Sequence, residues 1–137
     1  MFYRFKVPCS KQKLTEVRDF IDKILYSHKI PELERNSMIL AVDEVCANLM
    51  IHSHNCNPNE SLELVIRILK EKIVFEIIDH GIGFNICDYQ EPSINDIIRQ
   101  KKKGGIGLML VRRIMDEVKY EKGAHQNIYR LTKKCAN

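Results

Sequence analysis

The stretch FEIIDHGIGFNI, Phe75–Ile86, begins as a β-strand and breaks off at a carboxylate. Period-two alternation puts Phe75, Ile77 and Asp79 on one face, so an acid stands where apolar residues point. Burying an unpaired carboxylate is costly. An ionised Asp only accepts hydrogen bonds, so its partner must donate, as a backbone N–H or a ligand amino group does. Gly81 and Gly83 follow, and without Cβ atoms they let the backbone approach a ligand or take a positive φ. Taken alone, D-x-G-x-G also fits an ordinary Asp-Gly turn.

The neighbouring segments give this strand its setting. LELVIRIL and KIVFEIID are two period-two runs joined by the charged tip Lys70-Glu71-Lys72, which reads as a hairpin. Upstream, MFYRFKV alternates as a strand that Pro8 stops, and Ser10 is placed to cap a helix. Leu14, Val17, Phe20, Ile21, Ile24 and Leu25 follow helical spacing to Tyr26. Pro31 ends that element and sits where a second helix begins. This helix runs to about His52, with Leu33, Met38, Val42, Val45, Cys46 and Leu49 as its expected buried stripe. NCNPNES is a loop by composition. Residues 84–103 read as a loop with one short helix near Ile94–Arg99. GGIGLMLVRRIMDEV reads as a glycine turn feeding a helix, and KYEKGAHQNIYRLTKK as two closing strands around Gly123. Hairpin-joined strands with clustered helices define an α+β fold, a mainly antiparallel mixed sheet with helices on one face. The 137 residues amount to one domain, 1–137.

Composition excludes several classes. With 22 Lys+Arg against 18 Asp+Glu the net charge is only +4, and one short basic run, RQKKKGG, is a poor basis for direct nucleic-acid binding. No apolar run approaches the roughly 18 residues of a membrane span. The N-terminus lacks a signal-peptide plan. Five scattered cysteines without C-x-x-C fit free thiols in a reduced, cytoplasmic protein.

Two further groups carry chemistry. Glu44, Asn48 and His52 recur every four residues on the second helix, about 40° apart around its axis. A solvent stripe is the plain reading, yet the segment around them lacks the Lys and Arg that such stripes usually contain. A carboxylate and an amide one turn apart suit a hard cation or a hydroxyl to be deprotonated. The second group is Gly104, Gly105 and Gly107 at a helix start, behind Lys101–Lys103, where free N–H groups favour phosphates. No Lys-Ser/Thr follows the glycines, so this is not a Walker loop. His52, His54 and Cys56 lack the spacing of a structural zinc site.

In order, Glu44-x-x-x-Asn48, Asp79-x-Gly81-x-Gly83 and Gly105-x-Gly107 resemble the N, G1 and G2 boxes of the GHKL ATPase superfamily, which includes gyrase and the histidine kinases. Asp79 follows Asn48 by 31 residues, and Gly105 follows Asp79 by 26. LAVDEVCANLMIHSH, IIDHGIGF and GGIGLMLVRRIMDEVKY look most like the stand-alone anti-sigma-factor serine kinases of bacteria. The resemblance implies a two-layer α/β sandwich that binds ATP and Mg²⁺. It implies that Asp79 accepts the adenine amino group, with Gly81 and Gly83 close to the base. Asn48 would hold Mg²⁺, and Glu44 would be the general base. Gly104, Gly105, Ile106, Gly107 and Leu108 would cradle the phosphates, with Lys103 neutralising their charge. The implied reaction is phosphorylation of a serine on an anti-anti-sigma partner. Relatives also bind a sigma factor and often work as homodimers. The alternative is an adenine-nucleotide-binding regulatory module with little kinase activity, which controls a partner by binding. Two positions depart from the pattern. Ser53 stands where these kinases usually have Gly, and Gln126-Asn127 replaces a Gly-Thr pair, so Asn127 takes the place of a nucleotide-binding Thr.

Overall fold

The structure is a computed structural model that describes residues 1–52, 61–80, 105–123 and 126–135. Strand β1 (Phe2–Pro8) leads through a 3-10 turn (Lys11–Lys13) into helix α1 (Leu14–Ser27). Helix α2 (Glu32–His52) follows, then β2 (Ser61–Ile68) and β3 (Lys72–Asp79). Helix α3 (Gly105–Ile114) and strands β4 (Glu117–Lys122) and β5 (Asn127–Lys134) complete the order. The sheet order is β1-β2-β3-β5-β4, which places β3 in the middle. All four pairings among the described strands are antiparallel.

Alternation explains the layering. Leu62, Leu64 and Ile66 on β2, Ile73, Phe75 and Ile77 on β3, and Tyr129 and Leu131 on β5 are buried on one face. They pack with Val17, Ile21, Ile24 and Leu25 of α1, with Met38, Val42, Val45 and Leu49 of α2, and with Val111 of α3. Helix α2 packs between the other two helices, touching α1 and α3, and also reaches β3. Burial of this apolar surface is the main force holding the two layers together.

The other sheet face is polar at its rim but not throughout. Val65, Val74, Glu76 and Thr132 lie on it and are nonetheless buried. Long side chains cover them: Arg67 and Arg130 both donate to Glu76, Arg130 with Nη2 at 3.1 Å from Oε2. Burial would raise the Glu76 pKa, but the hydrogen bonds and charges of Arg67 and Arg130 prevail and hold it below the ordinary carboxylate value.

Three expectations need correction. Leu33 is 85% exposed, not part of the α2 core stripe. Nine residues separate it from buried Val42, and at 3.6 residues per turn that puts it about 180° away. The third helix stops at Ile114, short of the Val118 end expected from the sequence. The Asp116 N–H donates to the Thr132 carbonyl at 2.9 Å, which draws the chain into the sheet, and 117–122 then alternate. Ser10 is extended before the 3-10 turn but makes no side-chain cap.

The α1–α2 connection closes with Lys29 at φ 62°. The Ile30 N–H donates to Leu25 O at 3.1 Å and the Lys29 N–H to Tyr26 O at 3.0 Å. This is the Schellman arrangement, usually made with Gly at the left-handed position.

Candidate functional site

Asp79 is the last residue of β3 and is fully buried. As expected from alternation, it continues the row of Phe75 and Ile77 on the helix-covered face. It stands between Leu62 of β2 and Asn127 of β5 in the ladder. Asn127, the first residue of β5, is buried as well. Two polar side chains thus sit directly opposite each other at the end of the two central strands.

Within the polar line of α2, Glu44 and Asn48 are not solvent-exposed. Asn48 is only 6% exposed. Its Nδ2 donates to the backbone carbonyl of Glu44 at 2.7 Å. That bond fixes which end of the amide is which, and Oδ1 becomes its acceptor end. Glu44 is half-buried. Burial and then the adjacent Asp43 charge push its carboxyl above the usual value. A raised carboxylate is a stronger base, nearer to neutral in its titration. Asp43 itself bonds Arg18 of α1 at 3.1 Å, so this partner ties the helix carrying Glu44 to its neighbour.

Helix α3 begins at Gly105, as the glycine-turn reading expected, so Gly105, Ile106, Gly107 and Leu108 form its first turn. Backbone N–H groups in a first turn lack intrahelical acceptors. Its packing on α2 brings it beside the helix of Glu44 and Asn48. Gly81, Gly83, Lys103 and Gly104 lie outside the described residues, as do Ser53, His54, Cys56 and the short helix expected near Ile94–Arg99. Among the described residues no group of three His, Cys, Asp or Glu side chains could hold a metal ion. An amide oxygen of fixed orientation one turn from a carboxylate does suit a magnesium ion held mostly by water and phosphate.

Tyr120 of β4 was not legible as a site residue. Its O–H donates to Asn127 Oδ1 at 3.2 Å, and its ring lies 5.0 Å from that of Tyr129. The contact is diagonal across two strands and depends on register. Among the described residues Cys9, Cys46 and Cys135 are buried thiols outside any disulfide, and burial, with Asp43 and Cys9 nearby, pushes the Cys46 thiol up to about 12. Among the described residues no helix is long and apolar enough to cross a membrane.

A mainly antiparallel sheet with α2 and α3 on one face, an acid ending the central strand and an Asn turned against a Glu define a known class of domain. Residues 7–133 match the model of the histidine kinase-like ATPase domain, and the chain belongs to that family. It is similar to the serine-protein kinase RsbW of Bacillus licheniformis, 27% identical over 86 residues, 60% of this chain and 54% of that protein. The RsbW of Bacillus subtilis strain 168 is 21% identical over 124 residues, 88% of this chain and 78% of the relative. The chain spans about half the length of the Bacillus licheniformis relatives it matches. The SiaB–SiaC complex from Pseudomonas aeruginosa shares the fold, with a TM-score of 0.63 at 14% identity over 96% of this chain and 89% of the other.

Proposed function

We propose that this chain is a single ATP-binding domain acting as an anti-sigma regulatory factor with serine protein kinase activity. It would transfer the γ-phosphoryl group of ATP to a serine on an anti-anti-sigma partner. The observation that carries this is the Glu44–Asn48 pair. One residue is a carboxylate of raised basicity, the other a buried amide whose orientation is set by the first residue's own carbonyl. Relatives named serine-protein kinases support the reaction type.

Each residue then has a task. Asp79 accepts hydrogen bonds from an exocyclic amino group, which selects adenine over a base that presents a carbonyl there. The first turn of α3, Gly105–Leu108, offers N–H groups to phosphate oxygens. Lys103, Gly104, Gly81 and Gly83 complete the set by family position. Asn48 offers Oδ1 to Mg²⁺. When bound, Mg-ATP supplies the phosphoryl group and the counter-charge for its transfer. Glu44 takes the proton from the serine hydroxyl as the serine oxygen forms its bond to phosphorus and ADP departs. Most of the catalysis in such a transfer is positioning and charge stabilisation, so this short inventory is sufficient.

Partner binding in a cytoplasmic setting, a sigma factor as second ligand and homodimerisation belong to the same proposal. The test uses γ-labelled ATP, Mg²⁺ and the anti-anti-sigma-type protein encoded nearest to this chain. Label on a serine of that protein, absent with Glu44→Gln, is the expected result. Nucleotide binding without transfer to any such partner would leave a regulatory module, and the kinase reading would fall.

A further inference from the structure

Asn127 has an amide with one acceptor end and one donor end. Its acceptor end is taken: Tyr120 O–H donates to Oδ1 at 3.2 Å. Tyr120 and Asn127 are diagonal neighbours on one face, since Lys122 faces Asn127 and Tyr120 faces Tyr129 across the β4–β5 ladder. On the opposite side of β5 the register places Asp79 directly against Asn127. Directly opposed residues of an antiparallel pair point to the same face with Cβ atoms about 4.5–5.5 Å apart. An amide with Oδ1 held toward β4 would turn Nδ2 toward β3. A donor there would face a carboxylate, which accepts hydrogen bonds.

We propose that Tyr120 is a positioning residue for base recognition, acting through the Asn127 amide on Asp79. The inference rests on the nucleotide reading above and adds a residue that the boxes do not contain. Its logic is one of polarity. An N–H rather than a C=O on the β5 side favours Asp79 as an acceptor and leaves its remaining lone pairs for an incoming amino group. Without the phenolic O–H the amide loses the donor that holds Oδ1 toward β4, and turned over its oxygen would oppose the carboxylate. The Tyr120 ring stays in place through its contact with Tyr129, 5.0 Å between centroids and tilted by 38°. Removing the hydroxyl alone therefore tests polarity rather than packing.

The experiment is calorimetric titration of the whole chain with Mg-ATP and with Mg-purine riboside triphosphate, which lacks the 6-amino group. The native protein is expected to favour ATP by about tenfold or more, the usual worth of a hydrogen bond to a charged group. In Tyr120→Phe the ATP affinity should fall about threefold to tenfold while the analogue is bound as before, so the ratio shrinks. In an Asn127→Ala background, adding Tyr120→Phe should change nothing more, because the two act as one unit. Asn127→Asp, which presents an acceptor to Asp79 with Tyr120 intact, should also abolish the preference, and it serves if Tyr120→Phe does not fold.

An unchanged ratio in Tyr120→Phe overturns the inference while leaving the nucleotide site standing. Equal weakening of both ligands assigns Tyr120 to packing and overturns it too. A native protein that binds both ligands equally removes the role of Asp79 and the inference with it. One that binds neither removes the nucleotide reading itself.

Discussion

Asn48 donates its Nδ2 hydrogen to the main-chain carbonyl of Glu44, 2.7 Å away and one helical turn earlier. The two residues are thereby coupled in orientation. The backbone of the proposed base holds the amide, and the amide oxygen is left as the end proposed to meet a cation. Asn48→Ala removes that oxygen. The native protein should bind ATP more tightly with Mg²⁺ than with EDTA. The variant should bind it equally in both, which titration in the two buffers reads directly. A preserved Mg²⁺ advantage in Asn48→Ala would mean that another group holds the ion.

Glu44→Gln keeps size and hydrogen bonding but cannot take a proton. Phosphoryl transfer should drop by about 10²–10⁴-fold, the usual range for a lost general base. ATP affinity should change by less than about twofold, because in the proposed mechanism the side chain acts on the attacking hydroxyl and not on the nucleotide. Single-turnover transfer and equilibrium binding measured on the same preparation separate the two effects.

Glu76 ties β2, β3 and β5 together on the face away from the helices, between Arg67 and Arg130. Its folded pKa is depressed, so its contribution is present above the ordinary carboxylate value and is lost as pH falls through the lower native one. Glu76→Gln should cost about 1–3 kcal/mol at neutral pH, since it weakens hydrogen bonds to two guanidinium groups. The gap between variant and native protein should close in acid. Urea midpoints across pH 3–7, in steps of about one unit around the free Glu value of about 4.3, follow it. A gap that does not depend on pH would assign the loss to packing.

Lys29 occupies a left-handed conformation in the α1–α2 turn. A non-glycine residue there carries a cost of roughly 1–2 kcal/mol, part of which glycine gives back through its freer unfolded chain. Lys29→Gly should therefore raise stability by about 0.5–1 kcal/mol. Chemical denaturation of the two proteins, with unchanged slope, is the check.

The sheet was readable because the helices cover one face. Alternation in β2 and β3 follows from burial under the helices, even though Val65 and Val74 on the far face are buried too, and the same rule makes Asp79 stand out. The helical period of α1 was equally plain, with Val17, Ile21, Ile24 and Leu25 all buried. Leu33 stands as the single apolar residue in the polar first turns, 32–37, and its angle from Val42 is what separates it from the core. The end of α3 was hidden because MDEV continues a helical pattern, whereas the bond from Asp116 to Thr132 that ends it comes from a distant strand. Asn48 looked exposed by its polarity and is buried by its position. The Tyr120–Asn127 contact depends on the β4–β5 register, which no local pattern contains.

The most direct measurement is calorimetric titration of the native chain and of Asp79→Asn with ATP and Mg²⁺. Asp79 is the fully buried acceptor at the end of the central strand, and Asn in its place puts an N–H donor beside an incoming amino group. The native protein should bind stoichiometrically, and the variant should bind about 10–100-fold more weakly or not at all. Equal affinity of the two proteins, or no binding by the native chain, would contradict an adenine site at Asp79.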